Sequence, residues 1–459
     1  MGVDQHGLPT TVANRAALDH YDRAVDELLH FRAEVVAESG AALDEDPTFP
    51  MAVALRAYLG LLTTDHDDAV AARAYLATYR PGETHPRERA HLHAANQLAG
   101  GDFHAAGRTL RDLTVEYPRD ALALAVGHQI DFFTGDAVSL RDRIGGALSA
   151  WHPDDRHYPN VLGMYAFGLE EAGHYDRSED VGREAVDRDP RDVWGIHAVA
   201  HTYEMQGRFG DGLRYLDDRL DDWSKDTFFN VHNWWHYGLY ALEKGDNARA
   251  LEIYDTVLYD PDGISLQLLD AAALLWRFAL AGDRQTARFA ALVEPWQRRA
   301  EHPFYAFNDA HAVMAYVGAG RFDLAEALIR SRTEWIDTEQ QGSNHAMTAR
   351  VGLPVCRALL AFGQARYEQT VDLLYPIRDH VNEFGGSHAQ RDAVYKTLVE
   401  AALRAKKLPL ARTLISERLN VRPCSPYNWL KQAELARALG EDAAATAAQA
   451  RASAYQGTT

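Results

Sequence analysis

Two stretches concentrate the residues able to do chemistry: WGIHAVAHTYEMQG from Trp194 to Gly207, and FFNVHNWWHYGLY from Phe228 to Tyr240. At about 100° per residue, His197, His201 and Glu204 fall within roughly 60° on one helical face. His232 and His236 repeat the i, i+4 spacing on the next segment. Four imidazoles with a carboxylate can hold one base and one acid near neutral pH, so His197, His201, Glu204, His232 and His236 are the candidate catalytic groups for hydrolase, lyase or isomerase chemistry. A His-x3-His pair can also grip Zn²⁺ or Fe²⁺. Ala198, however, stands where a zincin carries its catalytic Glu, and the paired Glu-x-x-His of di-iron proteins is missing. The spacing therefore allows a metal at these five residues without favouring one, and no cofactor is expected.

These segments sit in a repeat. Gly101, Gly135, Gly173, Gly207, Gly245, Gly282, Gly320, Gly363 and Gly440 each separate two helical patterns, at intervals mostly between 34 and 43 residues. The 77 residues from Gly363 to Gly440 leave room for one further unit, turning at Lys406-Lys-Leu-Pro409. A period near 34 with helix, Gly turn and second helix marks tetratricopeptide-like arrays. Gly suits the turn because the first helix needs a left-handed cap. No sustained period-2 run argues for strands. The expected fold is all-α: a tetratricopeptide-like helix-pair solenoid, irregular and tightly curved, of roughly ten pairs. It forms one continuous unit over 1–459, with N-terminal helices in 1–80, one of them spanning Asn14 to Gly40, a break at Arg80–Arg87, and the repeat array over 84–459.

In such arrays first helices line the concave side, so counting back from each turn sorts inner from outer residues. Asp270, Arg277, Asn308, Asp309, His311, His345, Arg350, Gln390, Arg391 and Asp392 all count as inner. Arg277 and Arg391 could anchor an anion by bidentate hydrogen bonds, and Asn308 and Gln390 could orient a carbonyl. The ligand expected from Asp270, Arg277, Asn308, Asp309, His311, His345, Gln390, Arg391 and Asp392 is a small polar or anionic molecule. Two alternatives stand beside it: a non-catalytic scaffold holding a peptide or protein partner in its groove, and an internal hydrogen-bond network that keeps the superhelix in register.

Composition narrows the partners. With 47 basic against 66 acidic residues the net charge is −19, the wrong sign for nucleic acid or an anionic membrane surface. The N-terminal residues lack the charge and apolar pattern of a signal peptide, no apolar run of spanning length stands out, and two distant cysteines make no disulfide framework. A cytoplasmic location is expected. Neither Gly-x-Ser-x-Gly nor a phosphate-binding glycine loop is present.

The chain resembles the tetratricopeptide repeat protein 38 family over nearly its whole length. The carriers are Asp46-Pro-Thr-Phe-Pro-Met-Ala52, His197-x3-His201-x2-Glu204-Met, His232-x3-His236, Asp270 with Leu275-Trp-Arg277, Phe307-Asn-Asp-x-His311, Val351-Gly-Leu-Pro-x-Cys356 and Gly385-Gly-Ser-His-Ala-Gln-Arg-Asp392. The resemblance implies a helical-repeat fold and leaves the activity open.

Overall fold

The computed structural model describes residues 2–80, 82–338 and 342–457; Pro81, within the expected break, lies outside them. Twelve antiparallel helix pairs follow one another among the described residues, from Arg15–Leu29 with Glu34–Glu45 to Pro426–Ala438 with Asp442–Gly457. The fold is thus an all-α helical-repeat solenoid, with two pairs more than the spacing suggested. The difference lies at the N-terminus. Asn14 to Gly40 is two helices rather than one, broken where Phe31 adopts a left-handed φ of 55°, and Pro50–Leu61 with His66–Thr78 forms a second pair.

The turn glycines behave as their positions require. Gly101, Gly135, Gly173, Gly207, Gly245, Gly282, Gly320 and Gly440 all have positive φ, the conformation that caps the first helix without a Cβ penalty. Gly363 does not. It ends its helix pressed against Val317 and Phe322, and Ala365, with φ 57°, makes the turn. Lys406 takes the same role at φ 56° in the unit expected between Gly363 and Gly440. Uneven intervals are absorbed by extra pieces: a short helix Leu220–Trp223, a π-helical turn Tyr254–Leu258, and the helix Ser343–Met347 with a second π turn Thr348–Gly352.

Two further departures from the sequence pattern are small. Gly2–Val3 pairs antiparallel with Pro9–Thr10, strands too short to show a period-2 pattern, joined through Gly7 at φ 79°. The helical run Ser343–Gly363 is long and apolar enough by composition to cross a membrane, but 67% of its apolar window is buried inside the protein.

Several first helices, among them Val193–Gln206 and Ala306–Gly318, are buried nearly all round. In Val193–Gln206 every residue from Val193 to Met205 is buried, as expected of a helix enclosed on all sides. The superhelix is wound tightly enough for units distant in sequence to touch. Phe31 stacks on Trp194 with centroids 5.3 Å apart, Asp65 accepts from the Ser265 hydroxyl and backbone N–H, and Tyr305 Oη donates to the Phe133 carbonyl at 3.0 Å.

These closures predict unequal glycine sensitivities. Gly320→Ala meets open space and should cost only the left-handed strain, about 1–2 kcal/mol. Gly385→Ala, also at positive φ, would drive a methyl into Tyr305 Oη and the Phe133 carbonyl, and should cost clearly more in a denaturant titration. Equal losses would contradict the closed winding.

Candidate functional site

Helices Val193–Gln206 and Asn230–Glu243 pack with their histidine faces together. Ring centroids lie 4.3 Å apart for His197 and His201, 4.4 Å for His201 and His236, and 4.9 Å for both His197–His232 and His232–His236. One nitrogen from each of the four rings lies within 4.8 Å of every other. His236 Nδ1 donates to Glu204 Oε2 at 2.8 Å, and His232 Nδ1 to Asp270 Oδ2 at 2.7 Å. His201 Nδ1 faces Glu170 Oε2 at 3.4 Å without hydrogen-bond geometry. Both nitrogens of His197, both of His201 and Nε2 of His236 have no hydrogen-bond partner among the described residues. Hydrogen-bond separations are thus adopted by His232 and His236 toward carboxylates, while His197 and His201 have none.

Burial sets the charge states. His197, His201 and His236 are pushed below the usual imidazole range, first by desolvation and, for His197 and His201, also by their histidine neighbours; Glu204 opposes the shift at His236. Burial also disfavours charge on Glu204, yet the His236 hydrogen bond and the Arg422 and Arg277 charges hold it below the ordinary carboxylate range. Glu170 goes the other way, raised well above that range by burial and by Glu171 and Glu204.

Beside the cluster lies a cavity of about 470 Å³. Of the five candidate catalytic residues only His197 and His232 line it; His201, His236 and Glu204 sit behind them. Asp270 and Gln390 also reach it. Gln390 additionally caps its own helix, its side-chain oxygen accepting from Ser387 N–H at 3.0 Å in a capping box. Most of the wall is apolar, contributed by residues such as Leu29, Phe31, Phe132, Met164, Ile264 and Leu266. Val36 and Phe228, 49% and 44% exposed, form part of its rim.

The remaining inner polar residues do not join this site; each is committed to the protein itself. Arg277 lies over the Trp235 ring and donates to the Ala273 and Ala389 carbonyls at 2.9 and 2.6 Å. Asn308 donates to both oxygens of Thr64 at 3.1 Å, tying units 244 positions apart. Asp309 turns toward its own second helix, where Arg332 donates to both carboxylate oxygens at 2.9 Å. His311 Nδ1 donates to the Phe307 carbonyl, and burial pulls its pKa down to about 4. His345 Nε2 meets the Ile336 carbonyl at 2.9 Å, and Arg350 pairs with Glu383 at the surface. Arg391 binds Glu171 at 3.0 Å, and Asp392 accepts from Arg418 at 2.6 Å with Arg422 and Lys396 nearby.

Several site residues carry little or no signal in the sequence. Glu170 stands three residues before Gly173, as Glu204 stands before Gly207, so the repeat register alone could have found it. Asp192, Gln129 and Gln267 line the cavity but carry no such mark. Asp192 lies over Gly163 and Gly195, where a Cβ on Gly195 would come within 2.6 Å of its carboxylate.

No family model matches the chain. Among solved structures it is similar to a tetratricopeptide repeat protein from Parabacteroides merdae, at 15% identity over 64% of this chain and 98% of that one, with a TM-score of 0.34. It is also similar to the human IFIT1 dimer with PPP-AAAA, at 12% identity over 98% of this chain and 96% of that one, with a TM-score of 0.41. The class of protein its own helix pairs define is a tetratricopeptide-like solenoid.

Two outcomes follow from these placements. Asp309→Ala strands a buried guanidinium and should lower stability by about 3–5 kcal/mol, whereas Asp309→Leu combined with Arg332→Leu should lose much less; chemical denaturation of the two variants decides. Burial raises Asp192 to about 7, so the folded state keeps its proton to a higher pH than the unfolded chain does. Stability should therefore fall as pH rises from about 4 to about 7, and Asp192→Asn should flatten that decline, read as melting temperature at pH 5 and pH 8.

Proposed function

We propose that this solenoid binds a small amphipathic molecule in its central cavity. Its apolar body would lie against Phe31, Phe132, Met164 and Ile264, and its polar end at His197, His232, Asp270, Gln267 and Gln390. The observation carrying this reading is the lining: largely apolar, with a few polar side chains, and without a Lys or Arg among the described residues. Pockets of this size and character hold small ligands by apolar burial, with a few polar groups fixing orientation. An anionic head would find Asp192 and Asp270 but no guanidinium, since Arg277 and Arg391 are engaged elsewhere. Of the small polar or anionic molecules first expected, the lining thus favours one with a neutral, hydrogen-bonding head such as a hydroxyl or amide. His197 and His232 are the two candidate catalytic groups that line the cavity.

At this level Leu28, Leu29, Phe31, Ala33, Val35 and Val36 of the chain itself line the cavity. We also infer membership of the tetratricopeptide repeat protein 38 family from the motifs around His197, His232 and Gly385, which build the cluster and the ties between distant units.

Decan-1-ol and decanamide, assayed by thermal shift and by Trp194 fluorescence, should stabilise the protein through mass action, while decanoate and phosphate should not. Ala125→Phe places a ring into the cavity wall and should weaken decan-1-ol binding at least about tenfold, equivalent to roughly 1.4 kcal/mol, without lowering the melting temperature. Stabilisation by phosphate alone, or unchanged decan-1-ol affinity in Ala125→Phe, would defeat the proposal.

A further inference from the structure

We propose that His197, His201, His232 and His236 together bind one divalent transition-metal ion, zinc or iron(II), through one ring nitrogen each. Three features of the cluster converge on this. The first is distance. The four nitrogens lie within 4.8 Å of one another, and a tetrahedron with bonds of 2.0–2.1 Å has edges of about 3.3–3.4 Å, so each nitrogen need move inward by less than about 1 Å. Small tilts of the rings cover that.

The second is the state of the donors. His197, His201 and His236 are 2%, 0% and 0% exposed, and their ring nitrogens lack partners except His236 Nδ1. A buried hydrogen-bond network would link the rings to one another; here ring meets ring mostly edge to face, and only His232 and His236 bond to neighbouring groups, the carboxylates of Asp270 and Glu204. The third is what stands behind them. Metal-ligating histidines typically donate their other nitrogen to a carboxylate, which fixes the tautomer and makes the ring a better donor. Glu204 holds His236 and Asp270 holds His232 in that manner, with Glu170 facing His201. Glu204 and Asp270 would also balance the two positive charges of the ion. An all-imidazole donor set suits zinc or iron and is unsuited to magnesium or calcium, which take oxygen ligands.

The site spans two helices of adjacent units, so the ion would tie Val193–Gln206 to Asn230–Glu243 at the wall of the cavity that His197 and His232 also line. Metal content is measured without any cavity ligand, so this proposal stands or falls separately from the cavity reading.

The test is elemental analysis of untagged protein purified without chelators, with cobalt(II) titration of the dipicolinate-stripped form. About one equivalent of zinc or iron per chain is expected, along with intense visible bands from four-coordinate cobalt. Stripping should lower the melting temperature and zinc should restore it. His201→Phe should reduce bound metal at least tenfold. Because that variant alters a fully buried position, Asp270→Asn serves as the second: it leaves the four ligands in place and should weaken cobalt binding about 10–100-fold while the stripped protein melts as the wild type does. Exposed His152→Ala is the control and should change nothing. Less than about a tenth of an equivalent in the native protein together with no cobalt spectrum in the folded stripped form, or full metal retention in both His201→Phe and Asp270→Asn, would overturn the assignment.

Discussion

Burial on nearly every side of first helices such as Val193–Gln206 and Ala306–Gly318 is the constraint from which the rest of the structure follows. A helix such as Val193–Gln206, with no solvent face along most of its length, can carry polar side chains only if the protein itself satisfies them, because an unpaired buried group costs about 1–3 kcal/mol. Most inner polar residues meet this demand by joining elements. Arg332 with Asp309, Arg391 with Glu171, Lys396 with Glu243 at 2.7 Å, and Arg418 with Asp392 each link different helices. They make the superhelix rigid in register, and they account for many of the charged residues that the sequence pattern placed inside.

Against that background the histidine cluster stands apart. Five imidazole nitrogens are buried without hydrogen-bond partners at one point, as are both carboxylate oxygens of Glu170 beside them and of Asp192 at the cavity wall. Neutral rings reduce the electrostatic cost, and burial does keep His197, His201 and His236 neutral near pH 7. Neutrality alone leaves their hydrogen-bonding capacity unused, whereas coordination of a cation would use the lone pairs directly. The carboxylates behind His232 and His236 serve either chemistry, since they orient the rings and stabilise positive charge forming among them.

Closure of the winding determines what the site can receive. Phe31, held at a left-handed φ, stacks on Trp194 and touches Phe228 and Phe229, with centroids 5.6 and 4.8 Å away. Its carbonyl accepts from Phe228 N–H at 2.9 Å and from Thr227 Oγ1 at 3.1 Å. This turn of the first helix pair converts a concave groove into a lined cavity and contributes much of its apolar wall. Polar lining residues come from the histidine-bearing helices, from Ser265–Leu280 and, through Gln129, Asn160 and Gln390, from three further first helices. The histidines thus meet apolar side chains such as Leu29 and Phe31, supplied by residues more than a hundred positions earlier.

What the sequence determined by itself was local. Helix periodicity, glycine caps and the His-x3-His spacing each depend on residues within one or two helical turns, so the all-α repeat, most turn positions and the address of the cluster are legible in the order of residues alone. Gly363 misled because a glycine required for close packing against Val317 looks the same in sequence as one required for a left-handed turn. Tertiary structure alone decided which inner residues share a site. Arg391 and Glu171 are 220 positions apart, as Phe31 and Trp194 are also distant. Their pairing reflects the cumulative rotation of many helix pairs, and small offsets at each π turn or inserted helix add up along the solenoid. No local pattern encodes that sum. The sequence could therefore name the histidines but not the apolar cavity beside them.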